Sequence, residues 1–341
     1  MSDSRFIVGI AGLGNIGKVH LECLTDPYFH DHVAQICIAD PDACKQEELA
    51  SGLSRCDFVA DYRNLSRCDI IIIALPTTLH LDAIRHFSGK AGLLLIEKPL
   101  GLTHGESAEI TELLIRAQQR AMCGLTGLYH PEFKAMYQQL GYVGDLRHVS
   151  ETLHEADPQL GHYLRKPKGV LTENGIHTMH RFLRIAGQLY PDKNLDLVRC
   201  EMATHEFIGF AGEDAATGRL YVEGGPVFDF DVAFRNGSLC DNELPIQYVT
   251  VVEGSRGVVR VTGWEKCEST IDGKHFVHYE HPDGPLNKRS QYPRIHLGMR
   301  NQFDECLQFL ESTELLHFTI DEALRAQELI EACYEFAPGR A

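Results

Sequence analysis

The sequence predicts an α/β fold of two parts: a doubly wound parallel sheet first, then an α+β domain on a mostly antiparallel sheet with one wet face. Three observations carry this expectation. The run Phe6-Ile-Val-Gly-Ile-Ala11 is short, apolar and ends in a glycine cluster, as a fully buried parallel strand does. Similar runs, Ile70–Ile73 and Leu93–Ile96, then alternate with amphipathic stretches of helical period. Past Pro131 the character changes: in Phe228-Asp-Phe-Asp-Val-Ala-Phe234 apolar residues fall on even positions and mostly polar ones on odd positions.

The first strand leads into Gly12, Gly14 and Gly17, spaced G-x-G-x-x-G, and then into the apolar stripe Ile16, Val19, Leu21, Leu24. Gly12 permits a tight strand-to-helix turn, Gly14 lets a pyrophosphate approach the backbone, and Gly17 lets helix and strand pack closely. The helix that opens at Asn15 and Ile16 offers unpaired N–H groups and a partial positive charge to phosphates. A second strand, Val33–Ala39, ends at Asp40, 23 residues past Gly17, where a carboxylate can accept hydrogen bonds from ribose hydroxyls. These features together read as a dinucleotide site with NAD preferred over NADP, because Asp40 would repel a 2′-phosphate.

Composition sets bounds. At 341 residues the chain exceeds one ordinary core, so two domains are expected. A formal charge of −16 argues against nucleic acid or an anionic membrane as the main partner. Residues 1–5 run straight into the first strand, leaving no room for a signal peptide, and the longest near-apolar stretch, Ile70–Pro76, is strand-sized. The eleven cysteines are scattered with no C-x-x-C pair, which suits buried thiols in a reducing cytoplasm.

In chain order, a helix is expected from Asp42 to about Leu53, then a short strand at Phe58-Val59. The strand Asp69–Pro76 follows, and its carboxyl end carries Pro76, Thr77 and His80, which should face the cofactor. The next strand, Leu93–Ile96, runs into Glu97-Lys98-Pro99. A helix from Thr103 to Gln119 opens with a Thr103-x-x-Glu106 capping box, and Ala121–Thr126 closes the first domain at residue 126. Residues 127–341 form the second, with helices near 132–140, 173–186, 298–310 and 321–334, further strands at Pro245–Val252 and Gly257–Val261, and a short strand Leu316–Thr319.

Two further groups carry chemistry. Lys98 sits at a strand's carboxyl end beside the expected nicotinamide, where a lysine can work as acid, base or hydrogen-bond donor. Glu173, His177 and His180, spaced four and three apart, fall on one helical face. That face reads as general acid–base machinery with His177 as base and Glu173 orienting it, or as a divalent-metal site drawing on His154 or His162, or as a polar stripe facing solvent. A dehydrogenase with a cationic nicotinamide and Lys98 has little need of a further cation, so a metal-free site is expected. Arg165, in Arg165-Lys-Pro-Lys168, is a candidate anion-holding residue.

The pieces Ala11–Gly17, Pro76–His80, Glu97-Lys98-Pro99, Glu173-Asn-Gly-Ile-His177 and 321–339 together resemble the glucose–fructose oxidoreductase / inositol dehydrogenase / MocA family over nearly the whole chain. The resemblance implies a Rossmann domain at 1–126, a large open-faced sheet in 127–341 with the closing helix packing back on the first domain, and homodimers or homotetramers through that sheet. It implies an NAD(P)-dependent dehydrogenase or reductase acting on a CH–OH group of a sugar, cyclitol or sugar derivative. Lys98 matches the family's catalytic lysine, and His177 the histidine of its D-x-G-x-H pattern. Cofactor contacts then fall to the glycine turn, Asp40, Pro76, Thr77, His80, Glu97 and Lys98. Substrate contacts fall to Lys98, Tyr129, Arg165, Glu173, His177 and His180. This chain departs from the family in Glu173 for Asp, in His180 for an acidic residue, and in Tyr129-His130-Pro131 for Arg-Phe-x-Pro. A non-catalytic sugar- or dinucleotide-sensing regulator and an NAD-using lyase or glycosidase are the alternative readings.

Overall fold

Residues 5–42, 44, 55–156, 169–204, 212–235, 246–284 and 291–336 are described in a computed structural model of the chain. Six strands, β1 (Phe6–Ala11), β2 (Val33–Ala39), β3 (Cys56–Val59), β4 (Cys68–Ile73), β5 (Ala91–Glu97) and β6 (Ala121–Gly124), form one sheet in the order β3-β2-β1-β4-β5-β6. Every pairing in it is parallel. That order reverses between β1 and β4, and ligands of such sheets lie outside the carboxyl ends of the strands at the reversal. Ile70–Ile73 of β4 and Leu93–Ile96 of β5 are wholly buried, because a sheet covered on both faces needs unbroken apolar strands. The helices α1 (Asn15–Thr25), α2 (His80–Phe87) and α3 (His104–Arg116) alternate with these strands. The capping box of α3 forms with a shift: Thr103 accepts from Glu106 N at 3.1 Å, while Glu106 reaches back to Leu102 N at 2.8 Å.

The second sheet has eight strands: β7 (Leu146–Ala156), β8 (Leu195–Ala203), β9 (Ala215–Val222), β10 (Val227–Arg235), β11 (Ile246–Gly254), β12 (Gly257–Thr262), β13 (Lys266–Ile271) and β14 (Lys274–Glu280). Their order is β14-β13-β12-β11-β7-β10-β9-β8. The sheet is antiparallel except at its centre, where β7 and β10 pair in parallel with Phe228 opposite Val149. The period-two pattern of β10 has its expected consequence: Phe228, Phe230, Val232 and Phe234 are buried, and Asp229 and Asp231 lie on the other face. The apolar face shares a core with α4 (Pro131–Gln139) and α5 (Ile176–Leu189); Phe182 of α5 lies 5.3 Å from the ring of Phe228.

The chain forms two compact units, Met1–Thr126 with Met299–Leu324 and Gly127–Gly298 with Arg325–Ala341, whereas the sequence places the boundary at 126 with 127–341 as one piece. Several expected elements change. The strand expected at Leu316–Thr319 is a single bridge between Ala121 and Leu316, because α7 (Phe318–Phe336) already begins at Phe318. The helix expected from 298 begins earlier, as α6 (Gln291–Leu310). The helix expected at 173–186 opens two residues sooner as a π-helical turn, Leu171–Gly175, before α5 takes over. The helix expected over 42–53 lies largely outside the described residues.

Candidate active site

In the first unit the glycine turn does the work its spacing calls for. Gly12 has φ +98°, and a Cβ there would come 2.7 Å from Ala74 O of the neighbouring strand end. A Cβ on Gly17 would lie 2.0 Å from Gly12 O, so turn and helix touch through backbone alone. Gly14 is different: nothing stands within 4 Å of where its Cβ would be. It is the N-cap of α1, no side chain caps that helix, and its first turn holds no acidic residue. The exposed Asn15 and half-buried Ile16 follow directly. Uncapped helix N-terminal N–H groups with open space at Gly14 are what a phosphate needs, and the start of α1 fits one.

Asp40 ends β2 and is almost fully buried. Its Oδ2 accepts from Leu13 N at 2.7 Å and its Oδ1 from Asp42 N at 3.0 Å. The carboxylate therefore stands beside the glycine turn and stiffens it, with its negative charge fixed at the end of the strand. Past β4, Pro76 is exposed and Thr77 half-buried, in a 3₁₀ turn that leads into α2. His80 is turned inward. Its Nε2 lies 3.0 Å from Leu75 O and its Nδ1 3.2 Å from Leu100 O, tying together the loops that follow β4 and β5. Burial pushes its pKa down, so the neutral ring donates to one carbonyl only.

Glu97 and Lys98 follow at the end of β5. The Glu97 carboxylate is buried; His20 Nε2 of α1 stands 2.7 Å from its Oε1, and Lys98 N donates to its Oε2 at 3.3 Å. Gly124, at the end of β6, makes room for it, since a Cβ there would meet Oε1 at 2.7 Å. Lys98 is half-buried. The first unit thus brings the glycine turn, Asp40, Pro76, Thr77, Glu97 and Lys98 to the carboxyl edge of one sheet.

In the second unit the helix bearing His177 is set by its entry. At Gly169 a Cβ would collide with the Glu213 backbone, 2.0 Å from its O. Val170 N donates to Glu213 O at 2.9 Å and Leu171 N to Glu213 Oε1 at 3.0 Å. Tyr334 donates to the same carboxylate at 2.8 Å, and its hydroxyl lies 3.0 Å from that of Thr172. The π turn that follows carries Glu173 and Asn174, whose amide donates to Glu155 Oε2 at 3.0 Å. Such wide turns recur at functional sites. They also upset the constant period assumed for the Glu173–His177–His180 face: Glu173 and His180 are buried, while His177 is half-buried. The solvent-facing stripe is therefore not what forms. Tyr129 is buried as well; Arg165 and His162 lie outside the described residues. His154 stands 2.9 Å from Asp231 Oδ1, and no group of three or more His, Cys, Asp or Glu among the described residues is arranged to hold a metal.

The sequence reading missed what lies beneath His177. Arg181, one turn on, is fully buried and forms a two-pronged ion pair with Glu151 of β7, its Nε donating to Oε2 at 2.7 Å and its Nη2 to Oε1. Thr250 donates to the same carboxylate at 2.8 Å. The guanidinium lies 4.4 Å above the Tyr248 ring and 5.2 Å from that of Phe133. Burial alone would pull the arginine pKa down, but Glu151 beside it holds it above its ordinary value. A Cβ on Gly127 would stand 3.0 Å from Arg181 Nη1 and 3.8 Å from His177 Nδ1, so both groups lie over that glycine. The only sequence signal was the four-residue spacing from His177 to Arg181. His20, three residues after Gly17, was equally inconspicuous.

Residues 6–125 match an oxidoreductase family described as having an NAD-binding Rossmann fold. The rhizopine catabolism protein MocA of Rhizobium meliloti is 24% identical over 188 residues, covering 54% of this chain and 58% of that protein. The chain thus spans little more than half the length of that relative. An oxidoreductase from Agrobacterium radiobacter, solved with NAD⁺, L-tartaric acid and magnesium, superposes with a TM-score of 0.81 at 17% identity, covering 99% of this chain and 98% of that one. A myo-inositol dehydrogenase from Corynebacterium glutamicum gives 0.78 at 19% identity, covering 98% and 97%. At such identities the likeness is one of fold.

Proposed function

We propose that this chain, whose residues 6–125 match the glucose–fructose oxidoreductase / inositol dehydrogenase / MocA family, is an NAD-dependent dehydrogenase acting on a hydroxyl-bearing carbon of a cyclitol, sugar or sugar derivative. The observation that carries this reading is the uncapped start of α1 at the open Gly14, with Asp40 at the neighbouring strand end and Lys98 at the end of β5. A bound nicotinamide would supply the acceptor for the hydride leaving the substrate carbon. The chain's own residues do the rest. Helix α1 holds the pyrophosphate through backbone N–H groups. Asp40 accepts from the ribose diol and repels a 2′-phosphate, which favours NAD over NADP. Lys98 and His177 hold and move the hydroxyl proton, and Glu173 orients the imidazole of His177. The relatives solved with NAD⁺ or named as inositol dehydrogenases support the choice of cofactor and substrate class. Assembly into homodimers or homotetramers through the exposed face of the eight-stranded sheet belongs to the same proposal.

The test is a screen of inositols, sugars and sugar acids with NAD⁺ and NADP⁺, following nicotinamide absorbance. Net NADH production is expected with at least one polyol. On that substrate Lys98→Ala should lower kcat by roughly 10²–10⁴ and leave NADH affinity within a few fold. An unchanged rate in the variant would return Lys98 to a surface role. Cofactor binding without turnover of any candidate would favour a sensing protein.

A further inference from the structure

The proposed proton transfer gives no role to the contact between His20 and Glu97, which lies at the edge where the cofactor is expected. Both side chains are about 5% exposed, and they meet at 2.7 Å. The contact joins α1, the phosphate-facing helix, to the last residue of β5, which precedes Lys98. Gly124 leaves space for the carboxylate where any larger residue would collide with it. Its field is felt around it: Glu97 works against the burial that lowers the His80 pKa, and adds to the burial that raises that of the Cys123 thiol. A buried carboxylate, hydrogen-bonded at one oxygen to His20 and at the other to the backbone N–H of Lys98, is thus fixed at the carboxyl end of the sheet.

Resting on the reading of a nicotinamide cofactor in this domain, we propose that Glu97, held by His20, is a positioning residue that sets which oxidation state of the cofactor the protein binds more tightly. With the adenosine half at Asp40 on β2, the nicotinamide half of a dinucleotide falls toward the ends of β4 and β5 on the other side of the sheet reversal. The oxidised ring carries a positive charge and the reduced ring none. A carboxylate in poorly screened surroundings acts on that charge across several ångströms, so Glu97 favours the oxidised form. His20 keeps the carboxylate in place and hydrogen-bonded where it would otherwise be costly to bury.

The experiment needs no substrate. Dissociation constants for NAD⁺ and for NADH are measured by calorimetry and nicotinamide fluorescence on the full chain, with thermal unfolding as the check of folding. In Glu97→Gln the ratio Kd(NAD⁺)/Kd(NADH) should rise about tenfold, as expected for one charge at an intermediate effective dielectric. Glu97→Asp, which keeps the charge, should leave the ratio within about twofold. Should Glu97→Gln not fold, His20→Leu against His20→Gln carries the same comparison. Leucine removes the hydrogen bond that holds the carboxylate in place and should raise the ratio, whereas glutamine can still donate to it and should leave it near the parent value. Tight binding of both forms with an unchanged ratio in these variants overturns the inference alone. Failure of the unaltered protein to bind either form overturns the cofactor reading and this inference with it.

Discussion

The glycine turn of the first unit and the His177 helix of the second solve the same problem in opposite ways. The turn is built from backbone: Gly12 against Ala74, Gly17 against Gly12, and open space at Gly14. The helix is built from side chains: Glu213 and Tyr334 at its entry, then Arg181 on Glu151 and Thr250 underneath. A backbone site depends on spacing along a few residues and tolerates no added atoms. A side-chain site depends on partners far away in sequence and tolerates no missing ones. The two should therefore break under opposite substitutions.

The largest effect is expected in the second unit. Arg181→Ala leaves the Glu151 charge buried and uncompensated, which should cost about 3–5 kcal/mol of stability. Replacing both partners, Arg181→Met with Glu151→Leu, should recover most of that in denaturant unfolding. A single variant as stable as the parent would show that the pair is already solvated. Next comes the converse in the first unit. Gly17→Ala adds one carbon where only 2.0 Å is available and should cost about 3 kcal/mol, whereas Gly14→Ala should stay within about 0.5 kcal/mol while still weakening NADH binding. Equal melting temperatures for the two variants would end the contrast.

A smaller, pH-dependent effect sharpens the comparison, because it too arises from a side chain buried in the second unit. Glu132, in α4, accepts from Trp264 N at 2.7 Å, and burial pushes its pKa from 4.5 to about 7. The folded chain therefore holds this proton more tightly than the unfolded chain. The stability it contributes is whole below pH 4.5 and is lost as pH rises to about 7, amounting to about 2–3 kcal/mol. Nearby, burial lowers the His130 pKa to about 3, so that residue erodes stability in the other direction, as pH falls below 6.5. Glu132→Gln should remove the decline between pH 4.5 and 7 and leave the acid-side loss. Melting curves across pH 4 to 8 would show it, and parallel profiles for variant and parent would refute it.

What the sequence disclosed follows the same division. Gly12, Gly14, Gly17 and Asp40 were legible because a turn needs particular residues at particular spacings, and so were the buried strands, which need unbroken apolar runs. His80 was misjudged in orientation: a histidine after Pro-Thr-Thr-Leu looks available for a ligand, and only the fold brings Leu75 O and Leu100 O to its ring. Glu97 was legible as a motif, yet its partner, His20, lies 77 residues away. Arg181 and Glu151, 30 residues apart, and Glu213, 42 residues from Leu171, have no local signal at all. The π turn was hidden for another reason. Helical period is read by assuming it constant, and nothing in Leu-Thr-Glu-Asn-Gly announces that it is not.

That turn also bears on how the chain should be aligned with its relatives. A π turn carries one residue more than an α turn of the same length, so it amounts to an insertion concealed inside a helix. Laid beside a relative whose helix is uninterrupted, residues before 171 and after 175 cannot both match without a one-residue gap within the helix. Counting back four from His177 reaches Glu173 along the chain, but the residue occupying the same place in space can be its neighbour in sequence. The exchange of a carboxylate one methylene longer at position 173 is then as much a matter of register as of side-chain length.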